Sequence, residues 1–149
     1  MFKRKISMLT VLIFFVITLT GCTFNVTNNF NIPEEKKHFK LELFNDCKSE
    51  IYGYRVEYYL DGKPIGGMAG SNADESKLSS RYAFPVMFYE NNFPENSDLS
   101  TFQFQVLVLD KEMNESEPTE MISLAAEFGE SYDVWVSGSF ENGFSVVME

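Results

Sequence analysis

The chain has 149 residues, 44% of them hydrophobic and 15% aromatic, and a formal charge of −10. That length supports one domain with a buried core rather than two, and fifteen Phe, seven Tyr and one Trp supply more apolar surface than a disordered chain carries. The acid excess repels phosphate backbones, so no nucleic acid is expected as a partner.

Lys3, Arg4 and Lys5 come first, followed by an apolar run from Met8 to Leu19 and then Leu19-Thr20-Gly21-Cys22. The cations favour the cytoplasmic side, the run is short for a permanent span, and the small residues Thr20 and Gly21 admit a peptidase to the bond before Cys22. Residues 1–21 therefore read as a signal peptide. The Leu-x-Gly-Cys spacing resembles the lipobox of bacterial lipoproteins. That resemblance implies that Cys22 becomes the first residue of the mature chain and carries acyl chains such as palmitate. An ordinary signal peptide, or a membrane anchor with an incidental Cys, is the competing reading. Cleavage removes three cations and no acid, so the exported part is more acidic than the whole. Lipidated Cys22, and not surface charge, then makes the membrane a partner.

Once Cys22 is lipidated only Cys47 remains, which leaves no intramolecular disulfide. Cys47 reads as a small, half-buried residue near a turn, against a redox or intermolecular role. Residues 22–38 are rich in Asn, carry Pro33 and end in Glu34-Glu35-Lys36-Lys37, the composition of a flexible tether. Phe24, Val26, Phe30 and Ile32 alternate weakly, which would suit an extra edge strand instead.

From Phe39 the apolar period is two. Phe39, Leu41 and Leu43 share one face, and Tyr54, Val56, Tyr58 and Leu60 do the same. Asp61-Gly62 tolerates positive φ and predicts a tight hairpin into Lys63-Pro64-Ile65. Tyr82, Phe84, Val86 and Phe88 form a third phase, which Pro85 confines to an edge or a bulge. Phe102 to Val108 begins by alternating and ends continuous, as a more central strand does. Tyr132 to Val136 and Phe144 to Val147 pair across Asn142-Gly143. Residues 119–128 are ambiguous: Met121, Leu124, Ala125 and Phe128 have helical spacing with Thr119 as a possible cap, whereas Ile122-Ser123-Leu124 suits a short strand.

Ile122-Ser123-Leu124 followed by Gly129 and Tyr132 resembles the corner of immunoglobulin-like and fibronectin-type sandwiches, in which a Tyr hydroxyl pins a loop. Asn45 with Ile51, Asp61-Gly62, Gly129-x-x-Tyr132 and Gly138-Ser139-Phe140 also make residues 39–149 similar to small lipoprotein domains of Gram-positive gut bacteria, which imply no activity. The expected fold is all-β: a two-sheet immunoglobulin-like antiparallel sandwich of about seven strands over 39–149, preceded by the signal peptide and tether.

No catalytic residue is expected. The one His, His38, falls in the tether, so a Ser/His or Cys/His pair would draw on a residue outside the core. One His and one free Cys cannot complete a zinc site, and Gly66-Gly67 with Gly70 lacks the GK[ST] of a phosphate cradle. Glu90 to Asp98, and Asp110 with Glu112, Asn114 and Glu117, place oxygen ligands on loops where calcium could sit, but neither run matches an EF-hand and solvated turns explain both. No cofactor or metal is expected. The candidate binding residues are Tyr59 and Trp135, aromatic on the otherwise polar phase of their strands, together with Arg55; such a face suits a sugar ring or a protein partner. A covering loop would explain the same rings blandly. The sequence thus predicts a membrane-anchored extracytoplasmic lipoprotein, a non-catalytic binding or structural module at the bacterial cell surface. The alternative is an accessory or substrate-capturing subunit of a transporter or surface enzyme, with a carboxylate-based glycosidase behind it.

Overall fold

A computed structural model describes residues 37–149. The expected signal peptide, Cys22, the alternating Phe24 to Ile32 and the tether up to residue 36 lie outside the described residues. Eight strands follow in chain order: β1 (His38–Cys47), β2 (Gly53–Leu60), β3 (Lys63–Ser71), β4 (Phe84–Tyr89), β5 (Phe102–Leu109), β6 (Ile122–Leu124), β7 (Ser131–Ser139) and β8 (Gly143–Met148). They form two four-stranded sheets, β4-β1-β7-β8 and β3-β2-β5-β6. The all-β two-sheet sandwich expected from the alternation is the architecture.

Side chains on a strand point alternately to opposite faces, and the burial follows the sequence phase. Phe39, Leu41 and Leu43 of β1 and Val134 and Val136 of β7 turn inward and are fully buried, as are Val56, Phe102, Phe104 and Val106 from the facing sheet. The two inner faces meet in an aromatic cluster. Phe39 stacks on Phe88 with centroids 4.9 Å apart and meets Phe102 edge-on at 5.2 Å; Tyr58 meets Phe88 edge-on at 5.1 Å. Such pairs contribute about 0.5–1.5 kcal/mol each beyond the area they bury.

Most pairings are antiparallel, but β1 and β7 run parallel, with Phe44 opposite Trp135. The first hairpin turns at Asp61 and Gly62, both at positive φ (49° and 72°), the twist-matched geometry for a two-residue loop. The second turns differently: Ser139 pairs with Gly143, and of the Asn142-Gly143 pair only Gly143 takes positive φ, at 83°. β4 carries Pro85 and is an edge strand, where a missing N–H donor does least harm. Tyr82 does not join the β4 phase; it precedes the strand and is 76% exposed. β5 lies inside its sheet, as its continuous apolar end implies.

Residues 119–128 contain the short strand β6 and not a helix. Thr119 is correspondingly not a helix cap. β6 pairs only with Phe102 to Phe104, which leaves the rest of that side of β5 open. There the Thr119 and Ser116 hydroxyls accept from the N–H groups of Val106 (3.0 Å) and Val108 (2.9 Å), so side-chain oxygens continue the ladder and blunt the edge. Past β6, the Tyr132 hydroxyl accepts from Glu127 N at 3.0 Å and donates to the Ala125 carbonyl at 3.4 Å, pinning the loop into β7. β1 opens at His38, ahead of the expected boundary. The His38 carbonyl accepts from Gly129 N at 2.7 Å, which ties this residue to the sandwich rather than to the tether.

Two substitutions test these supports. Tyr132→Phe removes both corner hydrogen bonds and is expected to cost about 1–2 kcal/mol, a fall in Tm of roughly 5–10 °C by calorimetry. Gly138→Ala is expected to cost more, because Gly138 sits at φ 117° and a Cβ there collides with the Gly143 carbonyl. An unchanged Tm in either variant would contradict the corresponding account.

Candidate functional site

The outer faces of the two sheets carry the candidate binding residues, and they do not carry them together. Arg55 and Tyr59 project from β2 on the outer face of one sheet, while Trp135 projects from β7 on the outer face of the other. Because the sandwich packs the two inner faces against each other, these outer faces point in opposite directions. Alternation assigns each residue to the wet side of its own strand and carries no information about which sheet that strand joins.

On the first face most of the polar groups bond to one another, while Arg55 Nε is buried without a hydrogen-bond partner among the described residues. The Tyr59 hydroxyl donates to Glu57 Oε2 at 3.3 Å and accepts from Gln105 Nε2 at 3.2 Å, and that same amide reaches Glu57 Oε2 at 3.0 Å. Arg55 pairs with Glu57 at 3.4 Å and with Glu115 at 3.2 Å. The Tyr59 hydroxyl is held above its usual pKa by partial burial first and by the Glu57 charge and hydrogen bond second, so it remains a neutral donor. Arg55 is thereby a bridge between two carboxylates.

On the second face an aromatic stack stands in water. Trp135 is 36% exposed, and its ring lies parallel to that of Phe44 with centroids 4.7 Å apart and planes inclined by 16°. Val147, 59% exposed, is the β8 partner of Trp135. Phe44, Trp135 and Val147 form one apolar row across β1, β7 and β8, flanked along the strands by Glu42 and Asp133 on one side and by Ser137 and Ser145 on the other. Phe44 was not among the candidate residues. The signal that singles out Trp135 applies to it equally, since Phe44 shares the polar phase of Lys40 and Glu42.

Cys47 ends β1 half-buried, with its thiol donating to the Val136 carbonyl at 3.4 Å. Burial, and then the neighbouring Asp46 charge, push its pKa up to about 12; a protonated thiol is a poor nucleophile and a poor metal ligand. The acidic loops are occupied locally. Asp98 accepts from Ser100 N, Asn92 from Tyr89 N, and Asp110 from both nitrogens of Asn114. Among the described residues no group of three or more His, Cys, Asp or Glu converges on a point. The loop from Glu90 to Leu99 instead walls a cup of about 550 Å³ with Phe93, Leu99 and Phe128 among its lining.

No protein family matches the sequence, and no curated protein matches it. Among solved structures, an NMR structure of a protein from Eubacterium rectale is similar over 77% of this chain and 89% of its own, at 12% identity and a TM-score of 0.39. The membrane-binding domain of pneumolysin is similar over 76% of this chain and 96% of its own, at 12% identity and a TM-score of 0.34. Intermedilysin, in a structure with human CD59, is similar over 76% of this chain and 24% of its own, at 14% identity and a TM-score of 0.32.

The Cys47 environment has a measurable consequence. A thiol whose native pKa, about 12, lies above the ordinary thiol value of 9.0 stabilises the fold fully below pH 9 and loses that contribution as pH rises toward 12. Burial raises the Tyr54 and Tyr58 hydroxyls as well, and these act in the same direction from about pH 10 upward. Thermal melts between pH 8 and pH 10 are expected to show a falling Tm that Cys47→Ala flattens. An equal fall in the variant would remove Cys47 as the cause.

Proposed function

We propose that this chain is a bacterial lipoprotein whose sandwich is held on the extracytoplasmic face of the cell membrane by acyl chains on Cys22, and that it acts there as a non-catalytic binding module. The observation that carries the anchor is Leu19-Thr20-Gly21-Cys22 behind a cationic start and a short apolar run. One acyl chain gives reversible membrane attachment and two give stable anchoring, so diacylation of a single sulfur is sufficient without a basic surface. An immunoglobulin-like lineage for the sandwich is part of the same reading, supported by the Tyr132 corner.

The binding half of the proposal is supported by the row of Phe44, Trp135 and Val147. A stacked aromatic pair on a wet face keeps apolar surface in contact with water, at a cost of about 25 cal/mol per Å² relative to covering it. A flat partner, a sugar ring or an apolar protein patch, removes that cost. The Tyr59 hydroxyl, Glu57 and Gln105 bond to one another and the terminal nitrogens of Arg55 to two carboxylates, which favours the Trp135 face over the Tyr59 face.

Metabolic labelling with palmitate in an expressing bacterium tests the anchor: the wild-type chain is expected to take up label and fractionate with membranes. Cys22→Ser is expected to lose the label. Labelling that survives Cys22→Ser, or a mature chain that retains residues 1–21, would overturn it. For the binding face, Trp135→Ala is expected to lower Tm by only a few degrees, because the ring is partly exposed, while abolishing retention on glycan or protein arrays. A collapse of Tm would instead make Trp135 part of the packing.

A further inference from the structure

The two sheets end on four edge strands, β4 and β8 in one and β3 and β6 in the other. Three of these are closed to a further strand by proline, a bulge or shortness. β4 carries Pro85. β3 opens on Lys63-Pro64 and has a register shift opposite Tyr58 and Tyr59. β6 is three residues long, and beyond it the hydroxyls of Thr119 and Ser116 occupy N–H groups along β5. β8 has none of these devices. Gly143-Phe144-Ser145-Val146-Val147-Met148 contains no proline and no charge, and its register with β7 runs unbroken from the Ser139–Gly143 pair to the Val134–Met148 pair.

That register also sets where the backbone groups point. Glu149 N donates to the Asp133 carbonyl at 3.3 Å, one position beyond the Val134–Met148 pair, and bonded and non-bonded pairs alternate along an antiparallel ladder. Gly143, Ser145 and Val147 therefore bond to β7, while the N–H and C=O groups of Phe144, Val146 and Met148 point outward from the sheet edge. No backbone bond among the described residues takes them up. The side chains of the same three residues are only half-buried against the core, so a strand beyond β8 would cover them as well.

The outer face beside this edge is patterned. Two rows cross β1, β7 and β8 in register: the apolar row Phe44, Trp135 and Val147, and, two residues along each strand, the acidic row Glu42, Asp133 and Glu149. Glu42 is paired with Lys40. Asp133 and Glu149 are exposed and form no ion pair among the described residues, and like charges directly opposite on neighbouring strands are destabilising.

We propose that β8 is the docking edge for an extended segment of another protein, which adds a fifth strand to β4-β1-β7-β8 and carries a Lys or Arg beside Glu149 and an aromatic or aliphatic residue beside Val147. Strand addition takes its affinity from main-chain hydrogen bonds and its specificity from alternate side chains. The outward residues of the segment extend the two rows: a cation answers Asp133 and Glu149, and a flat side chain covers Val147 and the margin of the Trp135 stack. A second copy of the chain is disfavoured, because it would bring further acid to the acidic row in a molecule that already carries −10. The choice of a flat outward residue rests on the Trp135 reading above; the open edge does not.

The test titrates the full chain with the acetylated, amidated heptapeptide Thr-Lys-Val-Tyr-Val-Lys-Thr, whose outward Lys-x-Tyr-x-Lys reads alike in either strand direction, and follows amide hydrogen exchange by NMR. Slowed exchange at Phe144, Val146 and Met148 is expected on saturation, with Ser145 and Val147, already bonded to β7, unchanged. The same peptide with Glu for both Lys, or N-methylated at its three central residues, is expected to bind at least tenfold more weakly, and neither control touches the fold. Asp133→Asn combined with Glu149→Gln is expected to weaken binding about tenfold with Tm unchanged or raised. No saturable binding at millimolar peptide, equal binding of either altered peptide, or undiminished binding by the double variant would each overturn the proposal. Binding without slowed exchange in β8 would overturn it too, leaving the Trp135 face as a binding surface in its own right. Slowed exchange that persists undiminished in Trp135→Ala would keep the edge and sink the Trp135 reading. Protection of these amides in the chain alone, with a dimer in sedimentation, would overturn the choice of partner and assign the edge to a second copy.

Discussion

The fold rests on the aromatic contact between the sheets. Phe39 and Phe88 come from one sheet and Tyr58 and Phe102 from the other, so each ring is covered only when both sheets are formed and apposed. Among the described residues the one cysteine, Cys47, is free, and no cross-link shares the load. A body of this size can bury enough surface to be stable through packing alone, but it does so with little to spare against a typical total of about 5–15 kcal/mol. A single large-to-small change at Phe39, worth about 3–5 kcal/mol, would consume much of that.

Concentrating the apolar residues in one inner layer frees both outer layers, and the chain uses them differently. The Tyr59 face bonds most of its polar groups to one another, so Arg55, Glu57, Glu115 and Gln105 form a network in which Arg55 Nε alone is left buried without a partner. Exposed ion pairs of this kind contribute at most about 1 kcal/mol; their effect is to occupy donors and acceptors. The Trp135 face does the opposite, keeping rings in water beside a few acids and serines. Two edges are blunted as well: Pro85 removes a donor from β4, and the hydroxyls of Ser116 and Thr119 occupy N–H groups along the open side of β5.

What was legible in the sequence followed from local rules. Period-two alternation gives the inward residues of β1, β2, β4, β5 and β7, because the pleat itself has period two, but not those of β3, where Gly66, Gly67 and Gly70 carry no side-chain pattern. Positive φ at Asp61 and Gly62 and the edge position of Pro85 follow from turn and hydrogen-bond chemistry in the same local way. The Tyr132 corner was legible because its partners, Ala125 and Glu127, lie within seven residues. Non-local relations were not. That β7 lies parallel to β1, so that Phe44 meets Trp135, depends on which sheet the chain returns to after β6. For the same reason Tyr59 and Trp135, equivalent by phase, end on opposite sides of the molecule. Helical spacing over Met121 to Phe128 competed with a strand three residues long, and the open side of β5 decided between them.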